Sequence, residues 1–456
     1  MNISRNLFLK KSSRLIASGF FLSPYLSSVS QSKNSDQKII IIGAGIAGLY
    51  SARLLRDSGF QVTVLEASST HGGRIRPLLS FSDYPVELGA EVILGEKSIY
   101  HREIRDKNIK FFNTSLAENY FVCNGFLKDE SEADSDEKFN RTQKIINDIK
   151  FFKGHDLSVD AYLKNKEIDE GYKHIAEALI GNEHGTNINK IGMRSLAKSL
   201  NDWKAGKNNY LLFNRSHLSS IEEIVRIKDI KIIYDFPVNK IDYSGKGIII
   251  YDKKGRSVEA NKVIITVPIS ILKNNDIQFN PALPSEKQSA IDRIGIDSGM
   301  KIILKFNKRF WGESTGSIIS DGIVPTYTSY GKLKSVNNNI LTAFISGENA
   351  NYLSNLGSKA VQEILIDLNR IFGNSTASNL ISESFIMDWK KEQYIQGCYS
   401  FPSLNENNSR DILKKSIKEK LYFAGEATNI NGHFGSIHGA METGKEAVNE
   451  IIKEIY

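Results

Sequence analysis

The stretch KIIIIGAGIAGLYSARLLRDSGFQVTVLEA, residues 38–67, contains an apolar strand, a glycine-rich turn, a helix and a second strand. Its continuous apolar start is typical of a parallel strand that is buried on both faces. Gly43, Gly45 and Gly48 form a G-x-G-x-x-G pattern, which allows a tight turn, close approach of a pyrophosphate and close packing of the helix. Glu66 ends the second strand, where a carboxylate accepts hydrogen bonds from an adenosine ribose. The stretch therefore predicts a dinucleotide-binding Rossmann unit.

The next segment, EASSTHGGRIR, residues 66–76, indicates which dinucleotide is bound. It resembles the segment by which flavoproteins of the glutathione reductase type place two glycines and an arginine beside the FAD pyrophosphate. Gly72 and Gly73 allow close backbone approach, and the planar guanidinium of Arg74 suits anionic oxygens. The alternative is a surface turn with a solvated arginine, but the segment directly follows the acidic end of the strand. The sequence therefore predicts FAD as the cofactor.

The composition is that of a soluble globular protein. The chain has 456 residues, of which 41% are apolar and 24% charged, and this length predicts two or more domains. Two cysteines, Cys123 and Cys398, cannot form a disulfide framework. The formal charge is +7. Without residues 1–30, 55 basic and 52 acidic residues remain, and this small excess leads us to expect no nucleic-acid partner.

His433 and His438 have no acidic or cysteine partner at ligand spacing, so we expect no metal site.

Residues 1–30 are predicted to be an export signal rather than part of the fold. A basic start is followed by an apolar patch, LIASGFFL, and by SVS at residues 28–30, a small-x-small pattern of the kind that signal peptidases cut. SRNLFLK, residues 4–10, resembles the twin-arginine signal for folded, cofactor-loaded proteins, with Asn6 in place of the second arginine. The apolar patch is too short to span a bilayer. We therefore expect an exported, periplasmic protein without an integral membrane segment; the alternative is a cytoplasmic protein with an N-terminal extension.

Three later stretches resemble the flavin amine oxidases, a family that includes monoamine oxidases, polyamine oxidases and histone lysine demethylases of that fold. The stretches are VELGAEVILG (residues 86–95), KVIITVPISILK (residues 262–273) and LYFAGEATNINGHFGSIHGAMETGKEAV (residues 421–448). The resemblance covers nearly the whole chain from residue 38. It implies further FAD contacts: Ala90 and Glu91 along the flavin ring, Val238 at the adenine, and Gly425 and Glu426 at the ribityl chain and phosphates. Ile437 is the last implied contact. It directly precedes a helix that is predicted to begin near Gly439, with its N-terminal amides toward the flavin O2 edge.

The resemblance also implies the fold class. We expect an α/β fold in which a glutathione-reductase-type FAD-binding Rossmann domain is interleaved with a mixed α+β substrate domain. Residues 230–267 have the β-branched runs and turn signals of a strand-rich excursion, and the acidic run DESEADSDE, residues 129–137, indicates a solvated turn. The predicted division is a signal-like segment over 1–30, FAD-binding parts over 38–95, 216–290 and 396–456, a mostly helical substrate-domain segment over 96–215, and a substrate-binding segment over 291–395.

By the same resemblance, Lys301 matches the lysine that the family places near flavin N5. It lies in SGMKIILKFNKRFW, residues 298–311, ahead of an aliphatic run and Phe310-Trp311. A lysine held in an apolar strand can bind an ordered water and supply positive charge for the anionic oxygen species formed when dioxygen reoxidises the flavin. Lys305 is the nearest rival, and a lysine facing solvent at the strand end is the non-catalytic alternative.

Trp389 and Tyr399, in DWKKEQYIQGCYS, match two aromatic residues with which the family orients a deprotonated amine at the flavin. Aromatic residues are usually part of a core, but Gly397 suits close approach to a cofactor. Ser436 stands where monoamine and polyamine oxidases often carry tyrosine, and Leu94 replaces a histidine or glutamate. Both changes remove a polar or aromatic side chain that would contact the substrate, so the sequence indicates a larger or more apolar substrate than a simple polyamine.

Cys398 directly precedes Tyr399. In the covalent monoamine oxidases, a cysteine in this place carries the flavin through a thioether at its 8α carbon. Neighbouring side chains on an extended strand point to opposite sides, which is compatible with a tether. However, many relatives hold FAD without a bond, and cysteine is often only a small buried apolar residue. The sequence is compatible with a covalent and with a dissociable FAD.

Together these features predict an FAD-dependent amine oxidase. It oxidises a primary or secondary amine to an imine by hydride transfer to flavin N5, and dioxygen is reduced to hydrogen peroxide; the partners are thus a small-molecule amine and dioxygen. An L-amino-acid oxidase would need an arginine for the substrate carboxylate, and the region after Leu88-Gly89 offers none. The sequence also leaves open a flavin-dependent desaturase or dehydrogenase of the same fold and a flavin-binding partner protein with little turnover.

Overall fold

The structure is a computed structural model that describes residues 37–329, 331–335 and 339–456. The predicted export signal, residues 1–30, lies outside the described residues. Within the described ranges, no helix is long and apolar enough to cross a membrane.

A five-stranded parallel sheet carries the glycine-rich stretch. Its strands, in spatial order, are Lys231–Ile233, Gln61–Leu65, Lys38–Ile42, Lys262–Ile265 and Leu421–Phe423. The four isoleucines of the central strand are buried because the sheet is covered on both faces. The strand that leads into the glycine-rich turn therefore lies at the centre, as in doubly wound dinucleotide-binding folds.

Two helices cover one face of this sheet. The helix that follows the glycine-rich turn, Ile46–Asp57, and the C-terminal helix, Ile437–Ile455, share an apolar cluster with the sheet. They approach closely because Gly444 has no side chain: a Cβ there would lie 2.7 Å from the carbonyl oxygen of Ala47. The C-terminal segment is thus fixed to the start of the glycine-rich unit.

A four-stranded sheet covers the other face and shares its apolar cluster. Its strands, in spatial order, are Ser257–Ala260, Ile248–Asp252, Val238–Asp242 and Gln278–Asn280. Three helices add apolar side chains to this cluster, namely Ile269–Lys273, Ser285–Arg293 and Ser409–Lys414. Residues 230–267 therefore form a strand-rich excursion, as their sequence pattern predicts.

The largest sheet of the described ranges has seven strands. In spatial order they are Ile381–Asp388, Gly299–Phe306, Ile340–Ser346, Thr326–Thr328, Thr315–Ile319, Glu118–Cys123 and Phe126–Asp129. One face packs against three helices, Gly347–Leu356, Ala360–Phe372 and Thr376–Leu380. On the other face Ile303 packs with Leu88 and Trp389. The strand that contains Lys301 is therefore buried from both sides.

The remaining elements include helices, two short strand pairs and a small three-stranded sheet. The helices are Ile99–Asp106, Glu130–Asp134, Glu137–Asp148, Val159–Asn165, Lys173–Ala176, Met193–Asp202, His217–Val225 and Gly331–Lys334. The short strands are Pro77–Leu78 with Val86–Glu87, Gly295–Ile296 with Ser400–Phe401, and Ile93–Leu94 and Phe111–Asn113 on either side of Asn209–Leu212. The acidic run at residues 129–137 is not a simple turn, because Asp129 and Asp136 each cap the N-terminus of a helix.

Candidate active site

A large cavity connects the parallel sheet to the seven-stranded sheet. Its volume is about 1270 Å³, above the roughly 300–1,000 Å³ of a typical small-ligand pocket. One end lies at the carboxyl edge of the parallel sheet, beside Gly43, Glu66 and Thr266, and the other reaches Lys301 and Phe344. Open parallel sheets bind their ligands at this edge, so the cavity has room for a dinucleotide and a substrate.

All but one of the predicted site residues line this cavity. They are Gly43, Gly45, Glu66, Gly72, Gly73, Arg74, Ala90, Glu91, Val238, Lys301, Trp389, Cys398, Tyr399, Gly425, Glu426 and Ile437. Gly48 is the exception, because a Cβ there would lie 2.0 Å from the carbonyl oxygen of Gly43. Gly48 instead lies where the helix packs closely against the glycine turn, as the glycine pattern predicts.

The two glycine motifs lie side by side at the edge of the sheet. Gly43 has a φ of +105°, a conformation that favours glycine. Gly45 forms a parallel bridge with Gly72, whose N–H donates to the carbonyl oxygen of Ala44 at 2.9 Å. A Cβ added at Gly45 would meet no atom within 4 Å. The turn is therefore a backbone cradle with open space where a side chain would otherwise stand.

The Glu66 carboxylate is buried and fixes this turn. Its Oε2 accepts a hydrogen bond from the Ala44 N–H at 2.7 Å, and its Oε1 accepts from the N–H and the hydroxyl of Ser68, both at 2.9 Å. A carboxylate oxygen can accept two hydrogen bonds, so Oε2 keeps one position. Glu66 thus holds the glycine turn and still offers an acceptor to a ribose hydroxyl.

Arg74 and Glu426 form an ion pair in the cavity wall. Arg74 Nη1 donates to Glu426 Oε1 and to the carbonyl oxygen of Cys398, both at 2.9 Å. Glu426 also accepts from the Ser400 N–H (3.2 Å), the Ser400 hydroxyl (2.6 Å) and the Gly435 N–H (2.8 Å). Burial alone would raise the pKa of Glu426, but Arg74 and these hydrogen bonds hold it below its ordinary value. The oxygens of Glu426 are thus occupied by the protein, whereas other N–H groups of Arg74 have no partner among the described residues.

The Lys301 ammonium contacts the loop that follows residue 86. Nζ donates to the carbonyl oxygens of Glu87 (3.1 Å) and Gly89 (2.9 Å) and to Glu91 Oε2 (3.1 Å). These acceptors match the three hydrogens of an ammonium group, so this arrangement leaves no N–H for an ordered water. Lys301 thus places positive charge at the cavity, and its hydrogen bonds fix the backbone of this loop.

Glu91 joins Lys301 to a second lysine. Lys334 Nζ donates to Glu91 Oε1 at 3.0 Å, and all three side chains are at most 13% exposed. Burial alone would raise the pKa of Glu91, but the two lysines lower it to about 2. Glu91 is therefore ionised, and two lysines face one carboxylate at this end of the cavity.

Lys305, the rival lysine of the same strand, lies away from the cavity. Its Nζ donates to the carbonyl oxygen of Phe81 at 2.9 Å and lies 3.6 Å from Glu383 Oε2, and its side chain is 41% exposed. Lys301 and Lys305 are an even number of residues apart and share one face of the strand, but Lys305 does not line the cavity. The two lysines form a matched pair for substitution.

Trp389 and Tyr399 line the cavity and use their polar atoms on the backbone. Trp389 Nε1 donates to the carbonyl oxygen of Leu88 at 3.1 Å, and the Tyr399 hydroxyl donates to that of Glu183 at 2.6 Å. Burial raises the pKa of the Tyr399 hydroxyl well above its ordinary value. Neither side chain has a proton to give to a substrate, so both act through shape and apolar surface.

Gly89 is a site position that the sequence analysis missed. A Cβ there would lie 1.7 Å from the carbonyl oxygen of Arg74 and 3.1 Å from the Trp389 ring, and its own carbonyl oxygen accepts from Lys301. The absence of a side chain thus lets these three residues meet. A glycine after a buried strand was visible in VELGAEVILG, but its neighbours come from distant parts of the chain.

Thr266 is a second missed residue. Its hydroxyl donates to the carbonyl oxygens of Ile42 (2.8 Å) and Gly43 (3.1 Å), and it follows the neighbouring strand Lys262–Ile265. A polar residue directly after a buried apolar run is the signal that could have identified it, because neighbouring parallel strands end at the same edge. Thr266 therefore supports the glycine turn from the adjacent strand.

Ser436 caps the C-terminal helix, which begins at Ile437 rather than near Gly439. The Ser436 hydroxyl accepts from the Gly439 N–H at 3.0 Å and donates to the carbonyl oxygen of His433 at 2.6 Å. An N-cap serine stabilises the first turn of a helix. Ser436 therefore stabilises the helix start beside the cavity.

The two histidines near this cap belong to the packing of the loop. His433 and His438 lie with ring centroids 4.7 Å apart, and Trp203 packs edge-on against both. His433 Nδ1 also hydrogen bonds with Glu442 Oε2 at 2.8 Å. Among the described residues, no group of three or more histidine, cysteine, aspartate or glutamate side chains is placed to hold a metal ion.

The chain matches a protein family over most of its length. The profile of the flavin containing amine oxidoreductases matches residues 46–452. The chain belongs to this family. Human lysine-specific histone demethylase 2 is 28% identical over 91% of this chain and 53% of that protein. Polyamine oxidase 4 of Oryza sativa subsp. japonica is 26% identical over 92% of this chain and 90% of that protein.

Solved structures show that this flavin amine oxidoreductase shares its fold with known oxidases. A putrescine oxidase bound to putrescine superposes with a TM-score of 0.78 at 18% identity, covering 91% of this chain and 99% of that one. Cyclohexylamine oxidase from Brevibacterium oxydans IH-35A superposes with a TM-score of 0.76 at 20% identity, covering 92% and 99%. The predicted fold class is confirmed. The chain spans about half the length of the human histone demethylase that it matches.

FAD is the cofactor of this family, and the residues of the cavity fit it. Gly45 leaves open space in front of the helix Ile46–Asp57, where a pyrophosphate is bound in such folds. Glu66 keeps an acceptor for a ribose hydroxyl, and Arg74 keeps N–H donors for anionic oxygens. Two independent kinds of recognition, backbone cradle and charged donor, are thus present in one cavity.

We predict that Cys398 does not carry the flavin covalently. The Cys398 thiol is buried and packs against Gly299, where a Cβ would lie 2.5 Å from Sγ. Burial raises the pKa of this thiol to about 12, and the thiolate is the reactive form. Acid precipitation of the yellow protein should therefore release all flavin into the supernatant. A yellow pellet with an added flavin mass, lost in Cys398→Ser but kept in Cys123→Ser, would contradict this.

Proposed function

We propose that this chain is an FAD-dependent amine oxidase. A primary or secondary amine is oxidised at its CH–NH bond to an imine, which water hydrolyses, and dioxygen is reduced to hydrogen peroxide. The observation that carries the proposal is the convergence of Lys301, Trp389 and Tyr399 on the cavity that contains both glycine motifs. Two relatives named polyamine oxidase or probable polyamine oxidase match this chain over 90% of their own length and support the same reaction class.

When bound, FAD supplies at flavin N5 the acceptor for a hydride equivalent and passes the electrons to dioxygen. The residues of the chain bind and orient. The backbone at Gly45 and Gly72 leaves room for the pyrophosphate, and Arg74 offers it charge-assisted donors. Lys301 holds the loop at Glu87 and Gly89 and adds positive charge at this end of the cavity.

The aromatic residues favour the neutral form of the amine. Trp389 and Tyr399 present apolar surface, since their polar hydrogens are donated to backbone carbonyl oxygens. A cation without a partner is costly in such surroundings. The reacting amine therefore binds deprotonated, which leaves its lone pair available as the C–H bond breaks.

An amino-acid oxidase is less well supported by the charges of the cavity. Two arginines line it near the predicted flavin residues, and both have carboxylate partners: Arg74 pairs with Glu426 at 2.9 Å and Arg76 with Glu392 at 2.6 Å. A substrate carboxylate would have to compete with the FAD pyrophosphate for the remaining N–H groups of Arg74 and with Glu392 for Arg76. An amine without a carboxylate meets no such competition.

A panel of amines and L-amino acids tests the proposal. Purified yellow protein should lose its flavin absorbance when mixed anaerobically with an amine and should form peroxide in air. Turnover with amino acids alone would support the amino-acid oxidase instead. Bleaching without peroxide would indicate a dehydrogenase, and no response to any compound would indicate a flavin-binding protein.

A further inference from the structure

Glu87 is a buried acid whose two carboxylate oxygens differ in their surroundings. The residue is 4% exposed. Its Oε1 accepts a hydrogen bond from the His217 N–H at 2.7 Å, whereas no group in the described part of the chain lies within hydrogen-bond distance of Oε2. Most buried side-chain oxygens in proteins are hydrogen-bonded, so an exception at this place calls for a physical reason.

Glu87 lies behind the loop that Lys301 holds. It ends the short strand Val86–Glu87, and its carbonyl oxygen accepts from Lys301 Nζ at 3.1 Å. The next residues, Leu88 and Gly89, line the large cavity, but Glu87 does not. The Glu87 side chain is therefore separate from any ligand in that cavity and can act on it only through Lys301 and the neighbours of Lys301.

A second, small cavity adjoins Glu87. Its volume is about 10 Å³, which is room for about one water molecule. Glu91 and Lys334 line it together with Glu87, and the Glu91 carboxylate accepts from both Lys301 (3.1 Å) and Lys334 (3.0 Å). Glu87 thus adjoins a cluster of two lysines and one ionised carboxylate, which together leave one net positive charge.

The other titratable groups around Glu87 keep one charge state near neutral pH. Burial lowers the pKa of His217 to about 4, so its imidazole is neutral, and its Nδ1 hydrogen bonds with the Tyr100 hydroxyl at 2.7 Å. Burial raises the pKa of the Tyr100 and Tyr84 hydroxyls above the ordinary value. Arg215, which lines the small cavity, remains a cation. Among these residues, Glu87 is the group whose charge can change.

The proton of Glu87 decides the net charge beside Lys301. A charged Oε2 without a donor is costly in the interior, whereas the neutral acid carries its proton on that oxygen. Burial accordingly raises the pKa of Glu87 to about 7, although the His217 N–H and the charges of Lys334 and Lys301 lower it. When Glu87 ionises, the net charge of the two lysines and the two glutamates falls from one positive charge to zero.

We propose that Glu87 is a positioning residue for the reaction with dioxygen: protonated Glu87 leaves the positive charge of Lys301 available to the cavity, and ionised Glu87 partly neutralises it. The inference rests on the proposed oxidase function. Reduction of dioxygen to hydrogen peroxide places two electrons and two protons on the oxygen atoms, and a positive charge in the cavity wall stabilises the negative charge that develops. Glu87 keeps its own proton in this reaction and touches neither dioxygen nor the flavin.

The pH dependence of the oxygen reaction tests this without any amine. The holoenzyme is reduced with a stoichiometric amount of dithionite and mixed in a stopped-flow instrument with oxygenated buffers on either side of neutral pH. The wild-type rate constant should fall about 10-fold or more as the pH rises through about 7, because the ionised acid weakens the positive field at the cavity. The FAD content should stay the same over this range.

Glu87→Gln should remove this dependence. The glutamine oxygen can still accept from the His217 N–H, and the side chain stays uncharged at every pH. The rate constant should therefore remain within about twofold of the low-pH wild-type value throughout. Glu87→Asp keeps a titratable group on a shorter stem, so the decline should remain but its midpoint should shift.

Glu177→Gln is the matched control. Burial also raises the pKa of Glu177, and its Oε2 accepts from the Ile188 N–H at 3.2 Å, a hydrogen bond that glutamine can also accept. Glu177 lines neither of the two cavities. Glu177→Gln should therefore keep the wild-type pH profile.

Three outcomes would overturn the inference. A wild-type rate constant that is flat or rises with pH would show that no such charge is lost. A decline that persists unchanged in Glu87→Gln would assign the titration to another group, even if the rate is lower at every pH. If Glu87→Gln does not fold, an unshifted midpoint in Glu87→Asp would have the same meaning. Failure of the proposed function looks different: no amine bleaches the oxidised flavin, but the profile of the dithionite-reduced enzyme is still measured.

Discussion

Gly45→Val is expected to give a folded protein without FAD. A Cβ at Gly45 meets no atom within 4 Å, and the φ of −75° and ψ of 177° at this residue suit any amino acid. The side chain would fill the open space of the backbone cradle, where the pyrophosphate approaches. We expect the purified variant to contain less than about one tenth of the wild-type FAD while its far-UV circular dichroism is unchanged.

Two other glycines serve as controls for this result. Gly245→Val makes the same change in a turn where a Cβ also meets nothing within 4 Å, and Gly245 does not line the cavity, so its FAD content should equal that of the wild type. Gly48→Val places a Cβ 2.0 Å from the carbonyl oxygen of Gly43 and should lower the yield of folded protein. A yellow, fully loaded Gly45→Val protein would refute the assignment of the cradle.

The cofactor end of the cavity could be predicted from sequence because the residues that form it lie close together in the sequence. The glycines, the strand before them and Glu66 lie within about thirty residues, and each has a conformational or hydrogen-bonding reason to be there. The bridge between Gly45 and Gly72 then brings two predicted motifs together. Because the loops at the edge of one sheet are short, the residues in them can be placed in only a few ways.

The substrate end could be predicted only in part, because its contacts are long-range. Lys301 meets Glu91 across 210 residues of sequence, and Lys334 meets the same carboxylate across 243. No periodicity indicates that these three residues share one site.

The expected role of Glu426 illustrates the same limit. The family resemblance implies contacts with the ribityl chain and phosphates, but in the structure four hydrogen bonds from Arg74, Ser400 and Gly435 occupy its oxygens. The motif indicated the correct place in the fold, at the end of the last parallel strand. The partners of a buried carboxylate depend on which loops surround it, and these come from three parts of the chain.

Lys301→Met is expected to slow the reaction of the reduced enzyme with dioxygen by about 100-fold or more, while FAD stays bound. Methionine keeps an apolar stem of similar length but removes the charge that would stabilise negative charge on the reduced oxygen, and one such group is worth roughly 10²–10³ in rate. Glu91 keeps Lys334 as its partner, so no carboxylate is left unpaired. Two carbonyl oxygens lose a donor, which should cost about 1–3 kcal/mol of stability each at most.

Lys305→Met is the matched control, because Lys305 lies on the same face of the same strand but outside the cavity. Stopped-flow mixing of dithionite-reduced enzyme with oxygenated buffer gives the rate constant without any amine. It should be unchanged in Lys305→Met, and Lys301→Arg, which keeps the charge, should retain more of the wild-type rate than Lys301→Met. If Lys301 only fixes the loop at Glu87 and Gly89, Lys301→Met lowers the melting temperature and the FAD content but leaves the rate constant as it was. That result would assign Lys301 a purely structural role.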